Sequence, residues 1–351
     1  MQKRDICELN PDELKEVLKE LGEPAYRAMQ LFSWLHAKHV TSFSEMSDLP
    51  VSLRERLSEN WEITPMQAAD VLCSRLDGTR KYVFALGDGN VIESVLMRYH
   101  YGNSVCISSQ VGCRMGCTFC ASTLGGCVRD LTAAEMLAQV YRIESDCGEK
   151  ISHVVVMGSG EPMDNLEELV RFLQLLNHEK ALRLSLRNVT VSTCGLPERI
   201  RQFAEYRFPL TLALSLHAYS QEKREKIMPI ARRYPLPEVL SACQDYASAT
   251  GRRLSFEYAL VRGVNDSLQD AEGLARLLRP YHGHVNLIPV NPIEERSYQS
   301  PSEQSVRSFR DRLEELGINA TIRRELGRDI RSACGQLRRS FINDASKCTD
   351  G

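Results

Sequence analysis

Ser104-Val105-Cys106-Ile107-Ser108, followed within the same segment by Cys113-Arg114-Met115-Gly116-Cys117-Thr118-Phe119-Cys120, decides the fold. The first stretch reads as a short, mostly apolar strand, and the second as a thiol-rich loop at its C-terminal end. Downstream the alternation of strand and helix recurs. Strands are expected at Ser104–Ser108, His153–Met157, Asn188–Ser192, Thr211–Ser215, Ser255–Leu260 and His284–Pro289, with amphipathic helices between them. Two of those helices begin with a capping-box signature, Thr132 with Glu135 and Asn165 with Glu168. Short β-branched strands separated by helices make a parallel sheet with helices outside. Six such units are too few to close an eight-fold barrel, so the expected fold is α/β, an open partial (β/α)6 barrel. Ligands of such sheets bind at the C-terminal ends of the strands. The residues just after each strand are therefore the candidate site residues.

Working outward, Asn10-Pro11-Asp12-Glu13 supplies an N-cap, a proline at the first helical position and a Glu at N3. Leu14, Val17, Leu18 and Leu21 follow at helical spacing, and Gly22 ends the run. Further helices are expected through Met29, Phe32, Trp34 and Leu35, and through Leu53 and Leu57. Tyr82–Leu86 and Val91–Leu96 flank Gly87-Asp88-Gly89-Asn90 and read as a β-hairpin. Beyond the barrel, a helix at Ser302–Leu316 and a strand at Ala320–Arg323 lead into an irregular tail. The expected organisation is a helical front domain at 1–75, a hairpin linker at 76–101, the barrel at 102–300 and a C-terminal extension at 301–351.

A chain of 351 residues, 43% hydrophobic and 26% charged, has an ordinary globular composition, which excludes a disordered or fibrous class. The longest apolar runs, such as Val154–Met157, fall far short of the ~20 residues of a membrane span. Met1-Gln2-Lys3-Arg4-Asp5-Ile6 holds no apolar leader, so a cytoplasmic location away from membranes is expected. A net charge of −2 leaves nucleic-acid binding to local patches. Twelve cysteines in a large chain without a leader point to metal or thiol chemistry rather than a disulfide framework.

Cys113, Cys117 and Cys120, with three and two residues between them, can wrap one face of an iron–sulfur cube. Spacing alone leaves zinc equally open, with Cys127 or a histidine as fourth ligand. Position after the first barrel strand favours a cofactor. The other strands end on Gly158-Ser159-Gly160-Glu161-Pro162, Ser192, Ser215-Leu216-His217 and Asn291, which together form a rim of polar groups. Taken singly, each is an ordinary cap or loop residue. Cys106 and Cys334, read alone, are small buried hydrophobes.

The cysteine spacing at this place resembles the radical S-adenosylmethionine (SAM) superfamily, in which three thiolates leave one iron of a 4Fe-4S cluster open. The ordered set Cys-Ile-Ser-Ser-Gln-Val-Gly-Cys, the cluster loop, Gly-Glu-Pro, Ser-Leu-His-Ala, Asn-Leu-Ile-Pro-Val-Asn-Pro and Ala-Cys-Gly-Gln-Leu resembles the RlmN/Cfr family of adenine methyltransferases across essentially the whole chain. The resemblance implies that Gly160, Glu161, Ser192, Ser215, Leu216, His217 and Asn291 contact SAM. It implies two SAM per turnover, one methylating Cys334 and one cleaved to a 5′-deoxyadenosyl radical that activates that methyl group for addition to the base. It further implies Glu93, in Ile92-Glu93-Ser94-Val95, as the proton acceptor, against the bland reading of a carboxylate on a solvated strand face. Cys106 is implied as the thiol that releases the base through a transient disulfide with Cys334. An electron donor such as flavodoxin or ferredoxin and a thioredoxin-like reductant follow as partners.

The substrates implied are an adenine of 23S rRNA and the adenine 3′ of the anticodon in tRNA. Arg323, Arg324, Arg328 and Arg331, with Arg338 and Arg339 beyond, surround Cys334 and are candidate phosphate contacts, against Glu325 and Asp329 locally. RlmN-type members modify C2 and Cfr-type members C8; Gly160-Glu161-Pro162 and Pro289-Val290-Asn291-Pro292 resemble the C2 branch more. The readings from other classes are a zinc-stabilised RNA-binding protein and a plain thiol–disulfide oxidoreductase. Cys7, Cys73, Cys127, Cys147, Cys194, Cys243 and Cys348 receive no role. Protein reconstituted anoxically with iron and sulfide is expected to be brown, with broad charge-transfer absorption. A colourless, zinc-loaded protein would overturn the cluster.

Overall fold

The computed structural model describes residues 3–293 and 295–330. Its first helix starts as its sequence dictates. Asn10 Oδ1 accepts the N–H groups of Asp12 and Glu13, and the Glu13 carboxylate takes the Asn10 N–H at 2.8 Å, closing the capping box of α1 (Pro11–Glu20). With α2 (Arg27–His36) and α3 (Val51–Asn60), this helix buries Leu14, Leu18, Leu31, Phe32, Leu35, Leu53 and Leu57. The three front helices do not stand apart from the rest. His36 Nδ1 meets the Tyr141 hydroxyl at 2.9 Å and Phe32 packs edge-on against His178, so both fall in the common core.

One ten-stranded sheet organises the chain, and its spatial order follows the sequence from one edge to the other. The strands are β1 (Met66–Cys73), β2 (Arg80–Leu86), β3 (Val91–Tyr99), β4 (Gly102–Ile107), β5 (Ile151–Val156), β6 (Val189–Thr193), β7 (Thr211–Ser215), β8 (Leu254–Leu260), β9 (Gly283–Pro289) and β10 (Ala320–Ile322). From β4 to β10 every neighbour pair is parallel; from β1 to β4 every pair is antiparallel. The parallel part is crossed over by α4 (Ala133–Cys147), α5 (Leu166–Asn177), α6 (Pro197–Glu205), α7 (Gln221–Ile227), α8 (Leu236–Thr250) and α9 (Leu268–Leu278), with α10 (Glu303–Glu315) before the last strand. All six expected barrel strands form: each carries apolar residues that pack into the core, with polar positions such as Ser192, Ser215 and Glu257 facing the cavity.

Two features depart from the sequence reading. The expected hairpin forms, yet it extends the barrel sheet: Val95 pairs with Cys106 and Leu96 with Val105. Outside it lies β1, which periodicity misses because most of its residues are exposed and a bulge at Ala68/Asp70 breaks the alternation. The capping box at Asn165 and Glu168 is absent. The buried Asn165 amide instead donates to the carbonyls of Ser109 at 3.0 Å and Leu131 at 2.8 Å, while Glu168 accepts the Ala133 N–H at 2.7 Å and so caps the neighbouring helix α4. Thr132 and Glu135 do form their box. Among the described residues no helix is long and apolar enough to cross a membrane.

Because Asn165→Ala strands the buried Leu131 carbonyl and leaves the Ser109 carbonyl with the Leu131 N–H alone, it is expected to destabilise the fold by about 1–3 kcal/mol. The urea midpoint should fall at unchanged slope. An unchanged midpoint would mean that other groups satisfy those carbonyls.

Candidate active site

A large cavity bears on the strand-end rule. It has a volume of about 900 Å³ and opens at the C-terminal ends of the parallel strands. Cys113, Cys117 and Cys120 line it, as do Gly160, Glu161, Ser192, Ser215, His217 and Asn291, together with Cys106 from β4 and Arg323, Arg324 and Arg328 from the tail. Residues scattered from 106 to 328 in sequence are thus gathered in one concavity. Leu216 lies outside that lining, its side chain fully buried in the core.

The turn after β5 is drawn tightly onto the end of β4. Gly158 donates to the Ile107 carbonyl at 2.9 Å, and the Ser159 carbonyl accepts the N–H groups of Ser109 and Gln110. Gly160 takes φ +111°, and a Cβ there would stand 2.7 Å from the backbone nitrogen of Gln110, so only glycine fits. The Glu161 carboxylate is buried and turned away from solvent toward backbone donors, accepting from Cys194 at 2.7 Å and Met163 at 3.0 Å. Burial pushes its pKa up, and those N–H groups oppose the shift. Its role here is to lock the turn whose backbone faces the cavity. Ser192 and Ser215 bring their hydroxyls to 3.3 Å across neighbouring strand ends.

His217 sits at φ +57°, its Nδ1 accepting the Ala259 N–H at 2.9 Å and its ring edge-on to Phe119 of the cysteine loop. Burial and the nearby Arg224 cation push its pKa down to about 3, so the imidazole is neutral. It thereby braces the loop. That loop is further tied by Cys113 N–H to the Gly126 carbonyl at 2.9 Å and by Thr118 N–H to the Ile227 carbonyl at 2.9 Å.

Burial pushes the Cys113 thiol up to about 12 and the Cys117 thiol up as well, with the neighbouring thiols adding to the shift. A bound metal cation is what such a set needs in order to ionise. Among the described residues no three Cys, His, Asp or Glu side chains converge on one point as a single ion requires. Cys113, Cys117 and Cys120 line one cavity and their thiols act on one another electrostatically, the donor set that a cube ligated by three thiolates takes.

Glu93 departs from the bland expectation of a solvated strand face. It is 8% exposed, and Lys81, fully buried on the adjacent strand, stands 3.6 Å from its carboxylate. Glu93 shares a face of β3 with Val95 and Met97, which line the cavity, while Ser94 turns to Gln139 on the other side. Sequence reading missed Glu257, a buried carboxylate in the cavity wall, held by Ser255 Oγ and Asn286 Nδ2, both at 2.8 Å. Burial pushes it upward in pKa. A charge inside the apolar run Ser255–Leu260 was the available signal.

The tail is fastened beside Cys106. Leu326 packs with Met97 and Cys106, the Gly327 N–H donates to Asp77 at 2.9 Å, and Asp329 accepts from Ser74 Oγ at 2.6 Å and the Arg75 N–H at 2.9 Å. Arg324 and Arg328 are exposed at the mouth. Cys334 and Arg331 lie outside the described residues.

Comparison with known proteins decides between the classes. Residues 4–63 match the Ribosomal RNA large subunit methyltransferase N-terminal domain, and residues 107–278 match the Radical SAM superfamily. A Lachnospira eligens protein named probable dual-specificity RNA methyltransferase RlmN is 52% identical over 347 residues, covering 99% of each chain. The chain belongs to the RlmN family. A Clostridium perfringens RlmN-named protein is 51% identical over 97% of this chain and 98% of its own. A crystal structure of a radical SAM methyltransferase from Sphaerobacter thermophilus superposes with TM-score 0.91 at 42% identity, covering 95% of this chain and 98% of that one. Membership in the RlmN family carries SAM and a 4Fe-4S cluster with it. The match at residues 4–63 falls on the front helices described above.

The depressed His217 pKa has a signed consequence. The unfolded imidazole, at 6.5, takes a proton that the folded ring refuses until about 3. Stability from this group is complete above 6.5 and falls by up to about 1.4 kcal/mol per pH unit as pH drops below that value. His217→Asn keeps an acceptor for the Ala259 N–H and tolerates the positive φ. Urea unfolding at pH 7.5 and 5 should therefore show a smaller acid loss in the variant than in the parent; equal losses would contradict the neutral imidazole.

Proposed function

We propose that this RlmN-family chain methylates C2 of a specific adenine in 23S rRNA and of the adenine 3′ of the anticodon in tRNA. The relatives' shared name, dual-specificity RNA methyltransferase, supports an RNA substrate in both classes. One observation carries the reading: Cys106 lines the same cavity as the three-cysteine loop and the strand-end motifs, and the segment leading to Cys334 is fastened directly over it. C2 of adenine is electron-poor and does not attack a methyl sulfonium, so the protein needs a thiol to carry the carbon. Bound at Cys113, Cys117 and Cys120, the 4Fe-4S cluster supplies the electron for reductive cleavage of SAM.

The chain's own residues do the rest. The Cys334 thiolate accepts a methyl group from one SAM by displacement, and that carbon becomes the one delivered to the base, which makes two SAM per turnover. Gly160, Ser192, Ser215 and Asn291 line the pocket that takes SAM, with Glu161 and His217 holding its walls. Once the base is tethered to Cys334, Glu93 takes the C2 proton; the buried Lys81 ammonium beside it offsets the cost of keeping a carboxylate out of water. Attack by the Cys106 thiolate on the Cys334 sulfur that bears the tethered carbon breaks the sulfur–carbon bond and forms a disulfide, the freed carbon takes up a proton to become the methyl group of the base, and the one surplus electron would return to the cluster; a thioredoxin-like reductant resets the disulfide. Electrons come from a flavodoxin- or ferredoxin-type donor. Arg323, Arg324 and Arg328 at the mouth, with Arg331 beyond, bind phosphates of the RNA, and the target adenine is unstacked from its neighbours to reach the cavity.

Expression of the chain in cells lacking this modification should produce 2-methyladenosine in digested 23S rRNA and tRNA, read by mass spectrometry. Cys334→Ala should abolish it, and Glu93→Gln should lower the single-turnover rate by about 10²–10⁴. 8-Methyladenosine as the sole product would overturn the C2 assignment. Base methylation surviving Cys334→Ala would overturn the methyl-carrying thiol.

A further inference from the structure

Arg224 is the largest fully buried side chain among the described residues, and no carboxylate among them pairs with it. Its Nη2 donates to the carbonyls of Cys194 and Ser215, and its Nε to the carbonyl of Leu216 at 3.3 Å. Nη1 is buried with no hydrogen-bond partner among the described residues. A guanidinium cannot shed its charge at any ordinary pH, and burying it without a counter-ion costs several kcal/mol. Knitting strand ends together through carbonyls requires donors but no charge; a neutral amide would serve. The cation therefore calls for an anion that the described protein does not supply.

Its surroundings indicate where that anion sits. Arg224 lies on α7, one turn before Ile227, whose carbonyl receives both the N–H and the hydroxyl of Thr118 in the cysteine loop. Pro229, just beyond, approaches Gly116 of the same loop. The thiols of Cys194 and, after it, Cys117 are within electrostatic reach of the guanidinium. A 4Fe-4S core held by three thiolates carries net negative charge, and one-electron reduction makes it more negative, with no bond made or broken.

We propose that Arg224 is the buried counter-charge of the cluster bound at Cys113, Cys117 and Cys120, and that it raises the cluster's midpoint potential by stabilising the reduced state. The inference rests on the family reading of that cluster. The electron itself comes from a low-potential one-electron donor of the flavodoxin or ferredoxin class.

Spectroelectrochemical titration of the anoxically reconstituted protein, without SAM or RNA, tests it. Arg224→Gln should keep the cluster absorption and shift the midpoint to more negative potential, while Arg224→Lys keeps it close to the parent at neutral pH. If Arg224→Gln does not fold, Arg224→Lys decides alone. Its ammonium can lose a proton where a guanidinium cannot, so the midpoint of the variant should fall with rising pH more steeply than that of the parent. A midpoint unchanged in Arg224→Gln, or identical pH profiles for Arg224→Lys and the parent, would reduce Arg224 to a structural donor. Failure of the parent protein to bind any cluster would instead overturn the family reading.

Discussion

The closeness of two backbone turns governs the site. Where β4 ends, Ser108, Ser109 and Gln110 run directly against Gly158, Ser159 and Gly160; the contact is made by main-chain hydrogen bonds to the Ser159 and Ile107 carbonyls, with Ser108 Oγ and Gln110 Oε1 accepting from the Ser159 and Glu161 N–H groups. Asn165 closes the same knot from behind through the Ser109 carbonyl. The cysteine loop begins three residues beyond Gln110, so its position relative to the Gly-Glu-Pro turn is set by peptide geometry together with buried, hydrogen-bonded side chains. Functional groups held this way lose little precision to rotamer motion. The two glycines are the condition for it, since any Cβ would occupy the space of the opposing backbone.

Around that knot the molecule accepts several buried ionisable groups: Glu93 with Lys81, Glu161, Glu257 and Arg224. Each is expensive in an apolar setting and each is met by a different device: an opposite charge, backbone donors, side-chain donors, or carbonyl acceptors alone. They stand on the strand ends and on the elements directly behind them, while the front helices and the sheet's outer helices bury mainly aliphatic surface. The stability given up near the cavity is offset by that large core.

What the sequence made legible follows from these physical contrasts. Strands packed under helices are rich in apolar residues, so Val154–Val156 and Leu212–Leu214 announce themselves, and the polar residue ending each strand marks the rim. The reading was weaker wherever partners lie far apart in the chain. Glu93 looked like a solvated face because its burial depends on β4 and β2 covering both sides of β3. Glu168 looked like part of its own helix's cap but serves α4. Arg224 carried no local signal at all, as a basic residue in the charged run Gln221–Lys226 resembles ordinary surface, and its burial emerges only once α7 is laid beneath the cysteine loop.

The fastening of Gly327 and Asp329 to the Ser74–Asp77 turn has a consequence for the edges of the sheet. Because the strand order follows the sequence, β1 and β10 stand at opposite edges and share no hydrogen bonds. The segment that leaves β10 nevertheless ends on the turn between β1 and β2, passing Met97 and Cys106 on the way through Leu326. It acts as a clasp, so that fraying at one border of the sheet is resisted from the other.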